Sequence, residues 1–226
     1  TMPKPIRAIL CDVDGTFIDS FRHGLYKLKL GAERAGLHYD DAVEHTAVSI
    51  WGATLINIFA ACFPDATQEQ IDIMLDVFKN EDAVNPPSSF DGVHAVFDVL
   101  GELGIVFTVV TSRDSESLDI ILKNDKLDHY FCHVAAEDTV EHRKPDPRVF
   151  ACTMRELAKR GIEPDECLMI GDTYDDFRAG TRFGMKTVIV KTGPLSENQA
   201  DIPEEDHIQS FAELPDWLRK NNLLPT

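Results

Sequence analysis

Apolar runs rich in β-branched residues recur along this chain, and helix-period segments separate them. The runs predict strands over Ile6 to Val13, Ile105 to Thr111, Cys132 to Ala136, Cys167 to Ile170 and Thr187 to Val190. Val93, Val96, Phe97, Leu100 and Leu103 share one helical face, and Gly104 supplies the stop. A longer helix is predicted to carry Val149, Cys152, Leu157 and Ile162. Strand alternating with helix implies an α/β fold, a parallel sheet covered on both faces.

The alternation breaks early. Between about Ser20 and Ser89 the pattern is helical: Trp51, Leu55, Ile58, Phe59 and Cys62 form one stripe, and Ile71, Met74, Leu75 and Phe78 a second. The second opens on "TQEQ", a capping box from Thr67 to Gln70. "NPPSS", Asn85 to Ser89, reads as an exit hinge. The expected organisation is a core of residues 1–19 and 90–226 with a helical insertion at 20–89.

Composition narrows the partners. The 226 residues carry a net charge of -17, which argues against nucleic acid or an anionic membrane as a partner. No apolar stretch reaches the ~20 residues of a membrane span. The N-terminus lacks a signal-peptide layout, and Thr1 before Met2 reads as a tag-removal scar. Five cysteines without a CxxC pair, with Cys11, Cys132 and Cys167 in apolar runs, read as reduced core thiols of a cytoplasmic protein.

The charge-bearing residues cluster where an open parallel sheet gathers ligands, beyond the carboxyl ends of its strands. The first strand ends in Asp12, Asp14, Gly15 and Thr16, the second in Thr111 and Ser112; Lys144 follows the third, and the fourth leads into Asp172, Asp175 and Asp176. Taken singly, each has a bland reading: helix cap, turn former or solvated lysine. Together they suit phosphoryl transfer through a carboxylate. An anionic ester meeting an anionic nucleophile needs a hard cation, and Asp12 with Asp172 would supply a Mg²⁺ site. Lys144 would balance the remaining charge. Thr111 or Ser112, and backbone N–H groups around Asp14 and Gly15, would donate to phosphate oxygens. Side chains two apart in a strand point the same way, which would set Asp14 beside Asp12 as acid and base.

In order and spacing, "DVDGT", "VVTS", "KPDP" and "GDTYDD" resemble the four motifs of the haloacid dehalogenase superfamily, from Arg7 to about Lys191. Among its branches the chain is most similar to phosphoglycolate phosphatase-like members, with Asp91 where proline is usual. The resemblance implies a Rossmann-like sheet of order 5-4-1-2-3 with an inserted helical cap. It implies Asp12 as nucleophile and Asp14 as acid and base. It implies Mg²⁺ held by Asp12, the Asp14 carbonyl and Asp172, with Asp176 in support, and phosphate held by Thr111 and Lys144. The expected partner is a small phosphorylated metabolite, and the expected assembly a monomer or homodimer.

Asp14 and Gly15 argue against dehalogenation, which has no leaving alkoxide to protonate. A phosphosugar mutase remains an alternative, although the histidine of such enzymes corresponds to Gly24, and His23 is rotated about 100° from it. A non-catalytic binding or regulatory member is the other alternative. Ser49, Trp51, Gly52, Thr54 and Asn57 occupy the cap segment that faces the active site in such relatives; Trp51 fits an apolar helix stripe equally well. Lys27, Lys29, Arg34 and Lys79, with Arg22, are the basic residues available there for a second anionic group. His38, His45 and Asp175 are expected at the surface.

Overall fold

A computed structural model describes residues 3–51, 53–193 and 200–225; the expectations for Thr1, Met2 and Gly52 lie outside these. In chain order the elements are β1 (Ala8–Cys11), α1 (Ser20–Arg34), α2 (Asp41–Ser49), α3 (Leu55–Cys62), α4 (Gln68–Val84) and α5 (Val93–Glu102). Then follow β2 (Val106–Val110), α6 (Ser115–Asn124), β3 (Phe131–Ala135), α7 (Ala151–Ala158), β4 (Cys167–Gly171), α8 (Tyr174–Phe183), β5 (Lys186–Val190), β6 (His207–Ile208) and α9 (Leu214–Lys220). The chain divides into two compact units, residues 1–19 with 88–226, and residues 20–87.

The larger unit holds one parallel sheet of order β3-β2-β1-β4-β5-β6. Read from the other edge, it is the expected 5-4-1-2-3 with a sixth strand added. At two residues, β6 is too short to leave a periodicity.

The inner strands β1 and β4 are buried at every position, which is why they read as continuous apolar runs, while β3 at the edge is partly exposed. On one face Ile9, Cys11, Phe107, Val109, Leu168 and Ile170 pack with residues of α5, α6 and α9. On the other, Ala8, Leu10, Val110, Ala135 and Met169 pack with Val149, Phe150, Leu157 and Ala179. β1 lies between β2 and β4, with Cys11 level with both Val109 and Ile170. The next residues of these strands therefore emerge together at one edge of the core.

Three local expectations need correction. The helix carrying Cys152 and Leu157 runs only from Ala151 to Ala158; Val149 precedes it in a 3₁₀ turn, and Ile162 lies beyond a turn at Gly161 (φ 66°). Cys132 is exposed, because β3 is an edge strand; all five cysteines are free. Trp51 precedes α3 rather than lying on its stripe.

The smaller unit is helical. Leu28 and Ala32 of α1 and Met74 of α4 belong to its core, with Ile58 and Phe59 of α3. The capping box at Thr67 forms as expected, with Gln70 N donating to Thr67 Oγ1 and Thr67 N to Gln70 Oε1. Trp51 packs edge-on against Phe21, its indole lying where a side chain at position 24 would stand. A glycine there makes room for the ring. His23 and Lys27 both turn to Asp82, at 3.0 and 2.8 Å, along the seam between α1 and α4. His38 and His45 are exposed. Among the described residues no helix is long and apolar enough to cross a membrane.

Candidate active site

Asp12 is the first residue past β1. Its N–H donates to Ile170 O at 2.9 Å, so the ladder with β4 fixes the backbone up to the carboxylate. Lys144, in the loop after β3, donates to Asp12 Oδ1 at 2.6 Å and to Val110 O at 3.1 Å. The lysine side chain is only 7% exposed, which excludes a solvated surface role. Thr16 Oγ1 donates to Asp12 Oδ2 at 3.2 Å. Both oxygens of the carboxylate are thereby engaged and its plane is set.

Asp176 has two duties. At the third position of α8, its Oδ2 accepts from Thr173 N, Thr173 Oγ1 and Asp172 N at 3.0, 2.8 and 3.1 Å. That is the capping role available to any acid near a helix start. Its Oδ1 meets Lys144 Nζ at 2.6 Å as an ion pair, while accepting no well-directed hydrogen bond. Asp172 completes the group: one oxygen each from Asp12, Asp172 and Asp176 lie within 4.8 Å of one another, and all three residues are buried.

Three buried carboxylates face one ammonium, and the titration of Asp12 and Asp172 reflects the imbalance. Burial first, then Asp176, pushes Asp12 up to about 6, although Lys144 pulls the other way. Burial, then Asp12 and Asp176, raises Asp172 well above the usual carboxylate range. Burial opposes the Lys144 charge, but Asp12 and Asp176 outweigh it and raise its pKa. An all-oxygen donor set short of positive charge fits a hard divalent cation such as Mg²⁺, and the undirected Asp176 Oδ1 adds an acceptor.

The turn after β1 is shaped by Gly15, at φ 78°. A Cβ at this position would collide with the Asp172 carboxylate. The Gly15 N–H donates to Ile18 O at 2.9 Å and the Thr16 N–H to Val13 O at 3.1 Å. These two groups therefore close the turn and are not aimed at a phosphate, contrary to the expectation for Gly15. Phe17 anchors the turn in the core against Phe97, centroids 5.6 Å apart. Gly15→Ala should cost about 1–3 kcal/mol, from the left-handed backbone and the displaced carboxylate. Thermal unfolding of the variant, roughly 2–10 °C below wild type, checks this; an unchanged midpoint would refute it.

The Asp14 side chain is held by an arginine, while its charge still acts on Asp12. β1 ends at Cys11, so strand alternation no longer governs residues 12–14. Arg113 holds the Asp14 side chain, donating from Nε to Oδ2 at 3.0 Å and from Nη2 to Oδ1 at 2.5 Å. Arg113 was not singled out in the sequence; 99 residues from Asp14, it left no local signal beyond following the Thr111–Ser112 pair. Thr111 is buried and its Oγ1 accepts from Arg113 N at 3.1 Å, while Ser112 is exposed. Neither caps α6, because Asp114 does. Thr16 and Thr173, which stand in the first and fourth motifs, also partner the carboxylates, Thr16 donating to Asp12 and Thr173 to Asp176. Asp175 lies in the first turn of α8, outside the carboxylate group.

The fold and this carboxylate–lysine arrangement define a class. The haloacid dehalogenase-like hydrolase family matches residues 9–190, and the chain belongs to that family. Among individual proteins, it is 30% identical over 196 residues to "Pyrophosphatase PpaX" of Anoxybacillus flavithermus, covering 80% of this chain and 82% of that protein. It is 28% identical over 204 residues to "Phosphoglycolate phosphatase" of Aquifex aeolicus, covering 88% and 91%. A HAD-superfamily hydrolase of subfamily IA from Geobacter sulfurreducens shares the fold, with a TM-score of 0.75 at 23% identity over 96% of this chain and 99% of that one.

Proposed function

We propose that the chain is a phosphatase that removes a phosphoryl group from a small substrate through an aspartyl-phosphate on Asp12. The observation carrying this reading is the Asp12 carboxylate, gripped by Lys144 and Thr16 beside Asp172 and Asp176. The relatives named as a pyrophosphatase and a phosphoglycolate phosphatase support the same class. Asp12, Asp172 and the Asp14 carbonyl would hold Mg²⁺, with Asp176 in support. The bound cation would offset the negative charge of both nucleophile and phosphate.

In the first step an Asp12 oxygen attacks phosphorus and the bond to the leaving oxygen breaks. That oxygen keeps the electron pair and takes a proton from Asp14. In the second step water attacks the same phosphorus, Asp14 takes the proton of the water, and the bond to Asp12 breaks. The products are inorganic phosphate and a regenerated carboxylate. Lys144 holds Asp12 in line and balances the phosphate charge, Thr111 and Ser112 hold phosphate oxygens, and Gly15 shapes the turn. The helical unit is assigned the role of a cap that selects the substrate.

A phosphomonoester of the phosphoglycolate or sugar-phosphate type is the substrate class of this reading; the pyrophosphatase relative favours pyrophosphate as a second. A mutase is disfavoured, since the Trp51 ring takes the space beside Gly24 and His23 turns to Asp82. Acid-quenching the protein during turnover of ³²P-labelled substrate should trap label on Asp12, identified by peptide mapping. Turnover with no acid-stable label, or with label on another residue, would refute the reading.

A further inference from the structure

Two residues just past the end of β5, in none of the four motifs, close on the carboxylate group. β5 runs beside β4 with Ile189 level with Gly171, so the backbone after Val190 comes up next to Asp172. Lys191 N donates to Ile208 O at 3.0 Å, which holds the start of this segment on β6. Thr192 Oγ1 then donates to Gly15 O at 2.8 Å, across 177 residues of chain. Gly193 follows, and Asp172 Oδ2 lies between it and Gly15: a Cβ on either glycine would collide with that oxygen. A Cβ on Gly193 would also stand 2.6 Å from Asp172 Cβ and Cγ.

Gly193 differs from the glycines that only close turns. Gly104 and Gly184 have left-handed φ of 80° and 91°, with open space where a Cβ would stand. Gly193 lacks the left-handed φ, so its backbone would accept alanine; the Asp172 side chain is what excludes the methyl group. The constraint acts in both directions. Gly15 and Gly193 close on one oxygen of the carboxylate, and Thr16 Oγ1 is 3.5 Å from the other, which leaves the group little room to turn. Thr192 holds the Gly15 side of this slot by its carbonyl.

Mg²⁺ demands near-ideal geometry and short bonds to its oxygens, so displacing one ligand carboxylate by the width of a methyl group costs affinity. We propose that Thr192 and Gly193 are positioning residues that hold the Asp172 carboxylate in place for the cation. Gly193 does so by leaving room for it, and Thr192 by fixing the Gly15 turn against which it rests. The proposal rests on Asp172 being a metal ligand, as assigned above, and it extends the site to the end of the fifth strand.

The test is the Mg²⁺ concentration that half-saturates the rise in thermal midpoint, measured on the EDTA-stripped protein and its variants at one pH. Gly193→Ala should raise that concentration by about 10–100-fold, the usual effect of disturbing what supports a metal ligand. Thr192→Val should raise it by about fivefold, the scale of one hydrogen bond. Thr192→Ser, which keeps the hydroxyl, should stay near the wild-type value. A purely structural role would lower the metal-free midpoint and leave the half-saturating concentration where it was; that result overturns the proposal. Should Gly193→Ala not fold, the Thr192 variants decide, and equal half-saturation in Thr192→Val and wild type overturns it. A wild type whose midpoint ignores Mg²⁺ would bring down the metal assignment itself and this proposal with it. A responsive wild type with unmoved variants overturns this proposal alone.

Discussion

Asp12→Asn should lower phosphate release by about 10⁴-fold or more, as expected when a covalent nucleophile is removed. The amide keeps the size of the carboxylate and an acceptor for Lys144 or Thr16, but it cannot attack phosphorus. The fold should survive. Asparagine removes one charge from a group of three buried acids, and Lys144 keeps Asp176 at 2.6 Å. The change in stability should stay within about 1 kcal/mol, because relief of acid–acid repulsion offsets the lost ion pair. Circular dichroism and a phosphate-release assay on the same preparation check both halves. Turnover near that of wild type from the folded variant would remove Asp12 from its role.

Adding Mg²⁺ should stabilise the protein by an amount that grows with pH. Asp12 titrates at about 6 in the fold and near 3.8 in an open chain. Folding then favours its protonated form, so the group contributes nothing adverse below pH 4. Its cost develops as pH rises to about 6 and persists above. Asp172, also raised by burial and its acidic neighbours, shifts in the same direction. A cation competes with the protons these acids hold. At pH 5 the gain in thermal midpoint should be small, and it should climb through pH 6 and be largest at pH 7–8. At a hundredfold excess over Kd the gain is about 2.7 kcal/mol, or roughly 5–10 °C for a chain of this size. Asp172→Ala should abolish it. A midpoint that ignores Mg²⁺ at pH 8 would sink the metal assignment, as would full activity in excess EDTA.

Much of the core could be read from single segments, because the determinants are local. Ala8–Cys11 is buried at all four positions, so a strand covered on both faces had to be a plain apolar run. The Thr67 capping box spans three residues and forms as written. The carboxylates at the strand ends were legible as a set because parallel strands in register deliver their ends to one edge.

What remained hidden depends on groups far apart in sequence. β6 is two residues long and exists only because β5 presents an edge to it. The place of Lys144 after the third strand marks it as a counter-charge, but its 7% exposure comes from Asp12, 132 residues away, and Asp176. The alternation rule placed Asp14 beside Asp12, but the strand had already ended, and Arg113 decided where the side chain went. The sequence by itself determined the strands, the order of the motifs and the residue types of the site, since these follow from burial period and local capping. The tertiary structure alone decided which acid faces the lysine and which faces the arginine. Those choices depend on distances across the sheet, and charge interactions fall off with distance in space, whatever the separation along the chain.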